Sequence, residues 1–417
     1  MPITKNPATV NAAFFQPLAG LVAASPYHRP CPEFSDEDYL DLGVQRVLES
    51  SESGRGFLQE HGLRFESTPK LANYFAALNS PRRCDVVRDV NLALVTLAND
   101  TLHDRLAKIP ELANYECFAQ DGHWHKAAAH DPRHEGSKMA AGHFYSLNLR
   151  SHSLRHLAVG QGLHEHDMSA LKRVNPRGLR QGVPQGTRVI IVYDKAAIDF
   201  TFWKRCRQEC AVYFISRVKE NTVFDWIESV PVNQADPRNH GVTEDRRVRT
   251  RDGHLLRIVY YTDPQTAEEY EFLTNEPDLP PGVIVELYRR RWEAEKVFDQ
   301  IKNKLNEKKA WATSLIAKEA QAQLIAITHN LLMIYEQKLE SEHGVVNVAE
   351  DQRRAKRIKA VVKACESARN PISTLVVQAR GATQRSLKFI RWLRQSLRDQ
   401  AAEAAAVLRL KVLYATL

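Results

Sequence analysis

The segment R188-V-I-I-V-Y-D194 limits the fold more than any other part of the chain. It is a short continuous apolar run with no polar face, so both of its faces must be covered. Runs of this kind read as buried strands, and they are typical of α/β proteins. The run ends on an acid, and open α/β sheets carry their chemistry at the carboxyl ends of strands. E116-C-F-A-Q-D121-G-H repeats the plan in weaker form: an apolar stretch, then Asp121, then a glycine to turn the chain. Asp194 has a second reading as the N-cap of the helical segment after it. Asp199 stands directly before F-T-F-W and competes for that role.

A third acid lies on a helix. Y288-R-R-R291-W-E-A-E295-K-V-F-D-Q-I-K302, drawn at about 100° per residue, puts Tyr288, Arg291, Glu295 and Lys302 within an arc of roughly 60°. Leu287, Val297, Phe298, Ile301 and Leu305 fall on the adjoining face. Such a helix packs by one side and shows a carboxylate, two cations and a phenol by the other. A carboxylate on a rigid helix can hold a divalent metal, and a guanidinium and an ammonium beside it can hold phosphate. The bland reading is a solvated helix stabilised by charge pairs four residues apart.

The spacing Tyr-x2-Arg-x3-Glu-x6-Lys, filled by Tyr288, Arg291, Glu295 and Lys302, resembles the signature of the IS4-type transposases. These belong to the DDE group on the RNase H-like fold. The run E271-F-L-T-N275 resembles the strand that precedes the motif helix in that family. The resemblance covers roughly residues 112 to 335. It implies that Asp121, Asp194 and Glu295 form the catalytic, metal-binding triad. Close carboxylates repel one another and favour divalent cations, so two Mg²⁺ or Mn²⁺ ions are the expected cofactors. Asp121 would bridge both ions, and Asp194 and Glu295 would each complete one. Tyr288, Arg291 and Lys302 would hold the DNA end, and Lys138 and His143 would have secondary roles. The implied activity is cleavage at insertion-sequence ends with strand transfer into target DNA, by a homodimer on DNA. The chain departs from the family pattern in two places. Gly-His follows Asp121 where relatives often have a small hydroxyl residue after the glycine, and D194-K-A-A-I-D lacks the usual Gly-aromatic turn.

Charge agrees with a nucleic-acid partner. Basic residues number 58 against 50 acidic ones, a net charge of +8, and the excess gathers after about residue 300. R353-R-A-K-R-I-K359 is the densest cluster, on a predicted helix; Arg353, Arg354, Lys356 and Arg357 are candidate contacts to duplex phosphates. R385-S-L-K388-F-I-R391-W-L-R394-Q-S-L-R398 reads as a packed amphipathic helix with a basic stripe.

The expected organisation is an α/β protein: an RNase H-like core interrupted by a β-rich insertion, with helical regions at both ends. Residues 1–110 read as a helical DNA-binding region, where S35-D-E-D opens a helix with a cap and an acidic first turn. Residues 111–220 and 280–335 read as the two parts of the core. About 100 residues separate Asp194 from Glu295, more than one helix and one strand need. Residues 221–279, with a D252-G turn between extended arms, account for the excess as the insertion. Residues 336–417 read as helical.

Two rival readings belong to other classes. D121-G-H123-W-H125 has the His-x-His of amidohydrolase-like metal barrels, with His130, His134 and His143 nearby. The later strands are not spaced as eight βα units, which counts against a barrel. The third reading is a DNA-binding relative without catalysis, and the intact acids count against it. The six cysteines are scattered, which argues against a disulfide framework or a zinc ribbon and fits a reducing cytoplasm. Gln16 and Pro17 interrupt the apolar stretch near the N-terminus, against a signal peptide. No run approaches the roughly 20 apolar residues of a membrane span.

Overall fold

The computed structural model describes residues 9–49, 53–65, 68–126, 140–160, 165–195, 198–264, 266–305, 309–367 and 387–415. The chain opens with helices α1 (Val10–Phe15), α2 (Leu21–Ala24), α3 (Asp36–Leu48), α4 (Gly54–Gly62), α5 (Leu71–Leu78) and α6 (Pro81–Thr101). Helix α3 starts where the sequence places it: the Ser35 hydroxyl accepts from the Asp38 amide at 3.0 Å, and three acids fill the first turn.

Strands β1 (Tyr115–Lys126), β2 (Ala140–Asn148) and β3 (Leu154–Val159) follow as an antiparallel meander. Then come α7 (Asp167–Leu179), β4 (Arg188–Val192), α8 (Phe200–Cys210) and β5 (Val212–Arg217). β4 pairs parallel with both β1 and β5. It lies at the centre of the parallel part, and Val189 to Val192 are fully buried, as the apolar run requires. Strands β6 (Phe224–Ser229), β7 (Val242–Thr250), β8 (Leu255–Thr262) and β9 (Glu269–Thr274) extend the same sheet, in the order β3-β2-β1-β4-β5-β9-β8-β7-β6. The Asp252-Gly253 turn joins β7 to β8, with Gly253 at φ +79°, a conformation that favours glycine.

The second half supplies α9 (Pro281–Arg290), α10 (Trp292–Lys304), α11 (Leu315–His343), α12 (Val348–Ser367), α13 (Leu387–Arg398) and α14 (Glu403–Ala415). Two apolar layers cover the sheet. One joins the N-terminal helices, α9, α10 and α11 to one face. The other packs α7 and α8 on the opposite face, through Met168, Leu171, Leu179, Phe202, Trp203 and Cys206. Helix α11 is buried along most of its length and touches α3, α6 and β3. Its approach to α3 needs Gly43, because a Cβ there would lie 2.6 Å from a Leu324 methyl. Among the described residues no helix is long and apolar enough to cross a membrane.

Three expectations are corrected. Asp121 does not end its strand: β1 runs on through Gly122 to Lys126 because the antiparallel partner β2 continues beside it, pairing Asp121 with Tyr145 and Gly122 with Phe144. The motif helix is not one regular helix. It divides at Arg291, where Arg291 N–H bonds to Tyr288 O and Ala294 N–H to Arg291 O, each at 3.0 Å and three residues back. The face expected to be exposed is also turned inward, with Arg291 close to Tyr288, Glu295 and Asp121. Tyr288 and Arg291 are buried, and Glu295 is half-exposed.

Candidate active site

The strand register brings the two aspartates level. The parallel pairing of β1 with β4 ends at Ala119 opposite Val192. Asp121 and Asp194 each lie two residues further on, so they stand side by side at the same edge on strands about 4.8 Å apart. Asp199, not Asp194, caps α8: its carboxylate accepts from the Phe202 amide at 2.8 Å. Asp194 is exposed, and its Oδ1 accepts from the Lys195 amide at 2.7 Å. Asp121 Oδ1 likewise accepts from the Gly122 amide at 2.8 Å.

Arg291 joins the third acid to this pair. Its Nη2 lies 2.9 Å from Glu295 Oε1, and its Nη1 lies 3.7 Å from Asp121 Oδ2. The guanidinium carbon also lies 5.7 Å from the Tyr288 ring centre and 5.5 Å from that of Trp292. Burial alone would lower the Arg291 pKa, but Tyr288, Glu295, Asp121 and Asp194 together raise it. Tyr288 packs its ring on Phe272 at 4.8 Å, with burial holding its phenol pKa up.

Burial pushes the Asp121 pKa up to about 6, with Asp167 and Glu295 adding to the effect and Arg291 and the Gly122 amide opposing it. Asp167 opens α7 on the same side. Burial and Asp194 raise its pKa against His166. A Cβ on residue 122 would lie 3.4 Å from Asp167 Oδ1 and 3.1 Å from the Phe144 ring, which is why glycine suits the position after Asp121. Asp167 was absent from the sequence-based candidates. Its one signal was an acid opening a helix in H164-E-H-D167.

Glu293 was also missed. It sits two residues before Glu295 but points inward, against the His152 imidazole at the turn between β2 and β3. His152 adopts φ 62°, and its carbonyl accepts from His329 Nε2 of α11 at 2.9 Å. Behind it, Asn91 donates to Gln323 at 2.8 Å, and Asn330 holds both the amide and the carbonyl of Leu154. This polar seam fixes α10 and α11 to the sheet edge.

The other sequence candidates divide. His143 is fully buried, its ring centre 6.2 Å from that of Tyr145 and 5.8 Å from that of His156. Lys138, His130 and His134 lie outside the described residues, as do the side chains of His125, Lys302, Arg353, Arg354 and Arg357. Lys356 is exposed on α12.

Asp121, Asp194 and Glu295 offer hard carboxylate oxygens, the donors that Mg²⁺ and Mn²⁺ take. Asp121 is a carboxylate whose burial is only partly offset, so it fits a further cation. Among the described residues no three His, Cys, Asp or Glu side chains stand at the spacing of a closed metal site. Arg291 is the cation between Asp121 and Glu295 in this structure.

A mixed α/β sheet that sets two aspartates level at one edge, with a helix-borne arginine and glutamate against them, defines a class of protein built around clustered carboxylates. Residues 118–331 match the family model described as the transposase DDE domain, half of the chain, and the chain belongs to that family. The matched segment includes Asp121, Asp194 and Glu295. No curated protein matches the chain. The protein is thus a transposase by family, of a kind that generally uses divalent metal ions, and its substrate class is DNA.

Proposed function

We propose that this protein is an IS4-type transposase that cleaves DNA at the ends of an insertion sequence and transfers the strand into target DNA. In this reading Asp121, Asp194 and Glu295 are the catalytic acids and hold two Mg²⁺ or Mn²⁺ ions. These three carboxylates would hold the ions, whose chemistry would be activation of a water or a DNA 3′-hydroxyl and neutralisation of the leaving oxygen at phosphorus. The observation that carries the reading is the shared level of Asp121 and Asp194 at one sheet edge, with Arg291 reaching both Asp121 and Glu295.

Each side chain then has a distinct task. Asp121 keeps a high affinity for positive charge because it is buried among other acids. Arg291 is tied to Asp121 and Glu295, and its planar fork suits transfer to a DNA phosphate. Tyr288, held on Phe272, braces that guanidinium, and Lys302 one helix further on adds a second cation for the DNA end. The exposed indole of Trp292 flanks Arg291 on the open side.

The domain reading follows the same plan: an RNase H-like core in residues 111–220 and 280–335, and an insertion in 221–279 that continues the sheet. Residues 1–110 would bind DNA, 336–417 would form a helical C-terminal region, and two copies would act together on the two element ends. The place of action would be the bacterial cytoplasm. The test is cleavage of a labelled duplex carrying the element's own terminus, with Mg²⁺ and then with EDTA. The reading expects Mg²⁺-dependent nicking at the element boundary that Asp121→Ala, Asp194→Ala and Glu295→Ala each remove. Nicking that survives in any one of the three takes that residue out of the site.

A further inference from the structure

The outer surface of helices α7 and α8 carries charge that the acid site does not use. α7 holds Lys172, Arg173 and Arg177 against Asp167, and α8 holds Lys204, Arg205 and Arg207 against Glu209. All six cations are exposed. The apolar residues of both helices face inward to the sheet, so the cations stand on the outer side. Lys172 pairs with Asp199 at 2.5 Å, Arg205 with Glu209 at 2.9 Å, and Arg173 with Glu165. Arg177 and Lys204 make no ion pair among the described residues, and Arg207 lies over the Tyr213 ring at 5.6 Å.

Both helices start at the acid edge and run away from it. Asp167, the first residue of α7, lies beside Gly122, and α8 begins six residues after Asp194. At about 1.5 Å per residue α7 runs roughly 12 Å to Val174, where Asn175 at φ 60° breaks it ahead of Arg177, and α8 runs roughly 17 Å. The α8 length matches about five base pairs of duplex at 3.4 Å each. We infer that the α7–α8 surface is a docking surface for the backbone of double-stranded DNA, with Arg177, Lys204 and Arg207 as phosphate contacts alongside the strand held at the acid edge. A cationic surface without an apolar patch suits phosphate, since it gains by releasing condensed counterions and needs no shape match to a protein partner. The direction of the duplex rests on the proposed acid site; the charge of the surface does not.

The test is binding of the full-length protein to a labelled duplex of roughly 30 base pairs, in EDTA, between about 50 and 200 mM salt. Without metal there is no cleavage, so the outcome is independent of whether the triad is assigned correctly. The variant is Arg177→Gln, Lys204→Gln and Arg207→Gln together. The control removes the same charge at Arg391, Arg409 and Lys411, all exposed on the last two helices and outside the proposed DNA-binding residues. The slope of log affinity against log salt should fall by about 2 to 3 in the test variant and stay at the parent value in the control. Equal slopes in test variant and parent would overturn the proposal. So would an equal fall in the control, or a loss seen only with single-stranded DNA. Melting curves matching the parent verify that both variants are folded.

Discussion

Glu293 and Asp121 are both carboxylates taken from water, and the protein treats them in opposite ways. Glu293 is the more deeply buried, yet its pKa is lowered: desolvation works against ionisation, but contact with His152, aided by Arg290 and Arg105, outweighs it. Asp121 is less buried, and its pKa is raised to about 6, because Arg291 at 3.7 Å does not offset burial with Asp167 and Glu295 nearby. The two belong to different regions. Glu293 is part of the seam of His152, His329, Asn330 and Gln323 that binds α10 and α11 to the sheet. Asp121 stands at the open strand edge. A buried charge whose partner is built in holds structure, whereas one left short of positive charge is available for a cation and for chemistry.

That contrast can be broken experimentally, and the largest effect should be on cleavage. Ala at Asp121, Asp194 or Glu295 should abolish Mg²⁺-dependent nicking while leaving DNA affinity near the parent value, because acids do not attract phosphate. A binding loss as large as the cleavage loss in gel-shift titrations would count against a catalytic role.

The next effects concern stability and have opposite signs. Glu293→Ala should destabilise the fold by about 2 kcal/mol, since it leaves the buried His152 ring without its hydrogen-bond partner. Asp121→Asn should stabilise it at neutral pH by about 1 to 2 kcal/mol in EDTA, since it removes a charge that the fold accommodates poorly. Denaturant titrations of both variants would show a drop and a gain. Two drops of similar size would mean that the two carboxylates are equivalent structural groups.

The pH dependence sharpens the same point. Folded Asp121 keeps its proton to about pH 6 against an ordinary value of 3.8. Its contribution is therefore complete below the unfolded value and is lost as pH rises through the folded one. The parent should lose stability relative to Asp121→Asn between about pH 4 and 7, and Mg²⁺ should restore part of it only in the parent. Thermal melts in EDTA and in Mg²⁺ at both ends of that range check this. A melting temperature that Mg²⁺ raises equally in the two proteins would remove Asp121 from the metal ligands.

The smallest effect belongs to the C-terminal cluster. Neutralising Arg353, Arg354, Lys356 and Arg357 should lower affinity for any duplex and flatten its salt dependence without changing cleavage of a tethered end. An unchanged low-salt affinity would make this helix an ordinary solvated one.

The sequence by itself determined the central strand with Asp194 beyond it, the apolar strand that carries Asp121, and the segment that carries Glu295. A run such as Val189–Val192 has no polar face and so no other place than the middle of a covered sheet. The caps of α3 and α8 were equally local, since Ser35 and Asp199 bond amides only three residues away. What the sequence left open depended on partners far along the chain. The continuation of β1 past Asp121 depends on β2, and the burial of Tyr288 and Arg291, which the wheel placed on an exposed face, depends on Phe272 and Asp121. Glu293 reads as one more surface acid until His152, 141 residues earlier, is brought against it. Asp167 reads as a helix-opening acid until the fold sets it beside Gly122. Periodicity reports which residues avoid water, but the charge that a buried carboxylate meets is set by tertiary packing, and only the folded chain distinguishes Glu293 from Asp121.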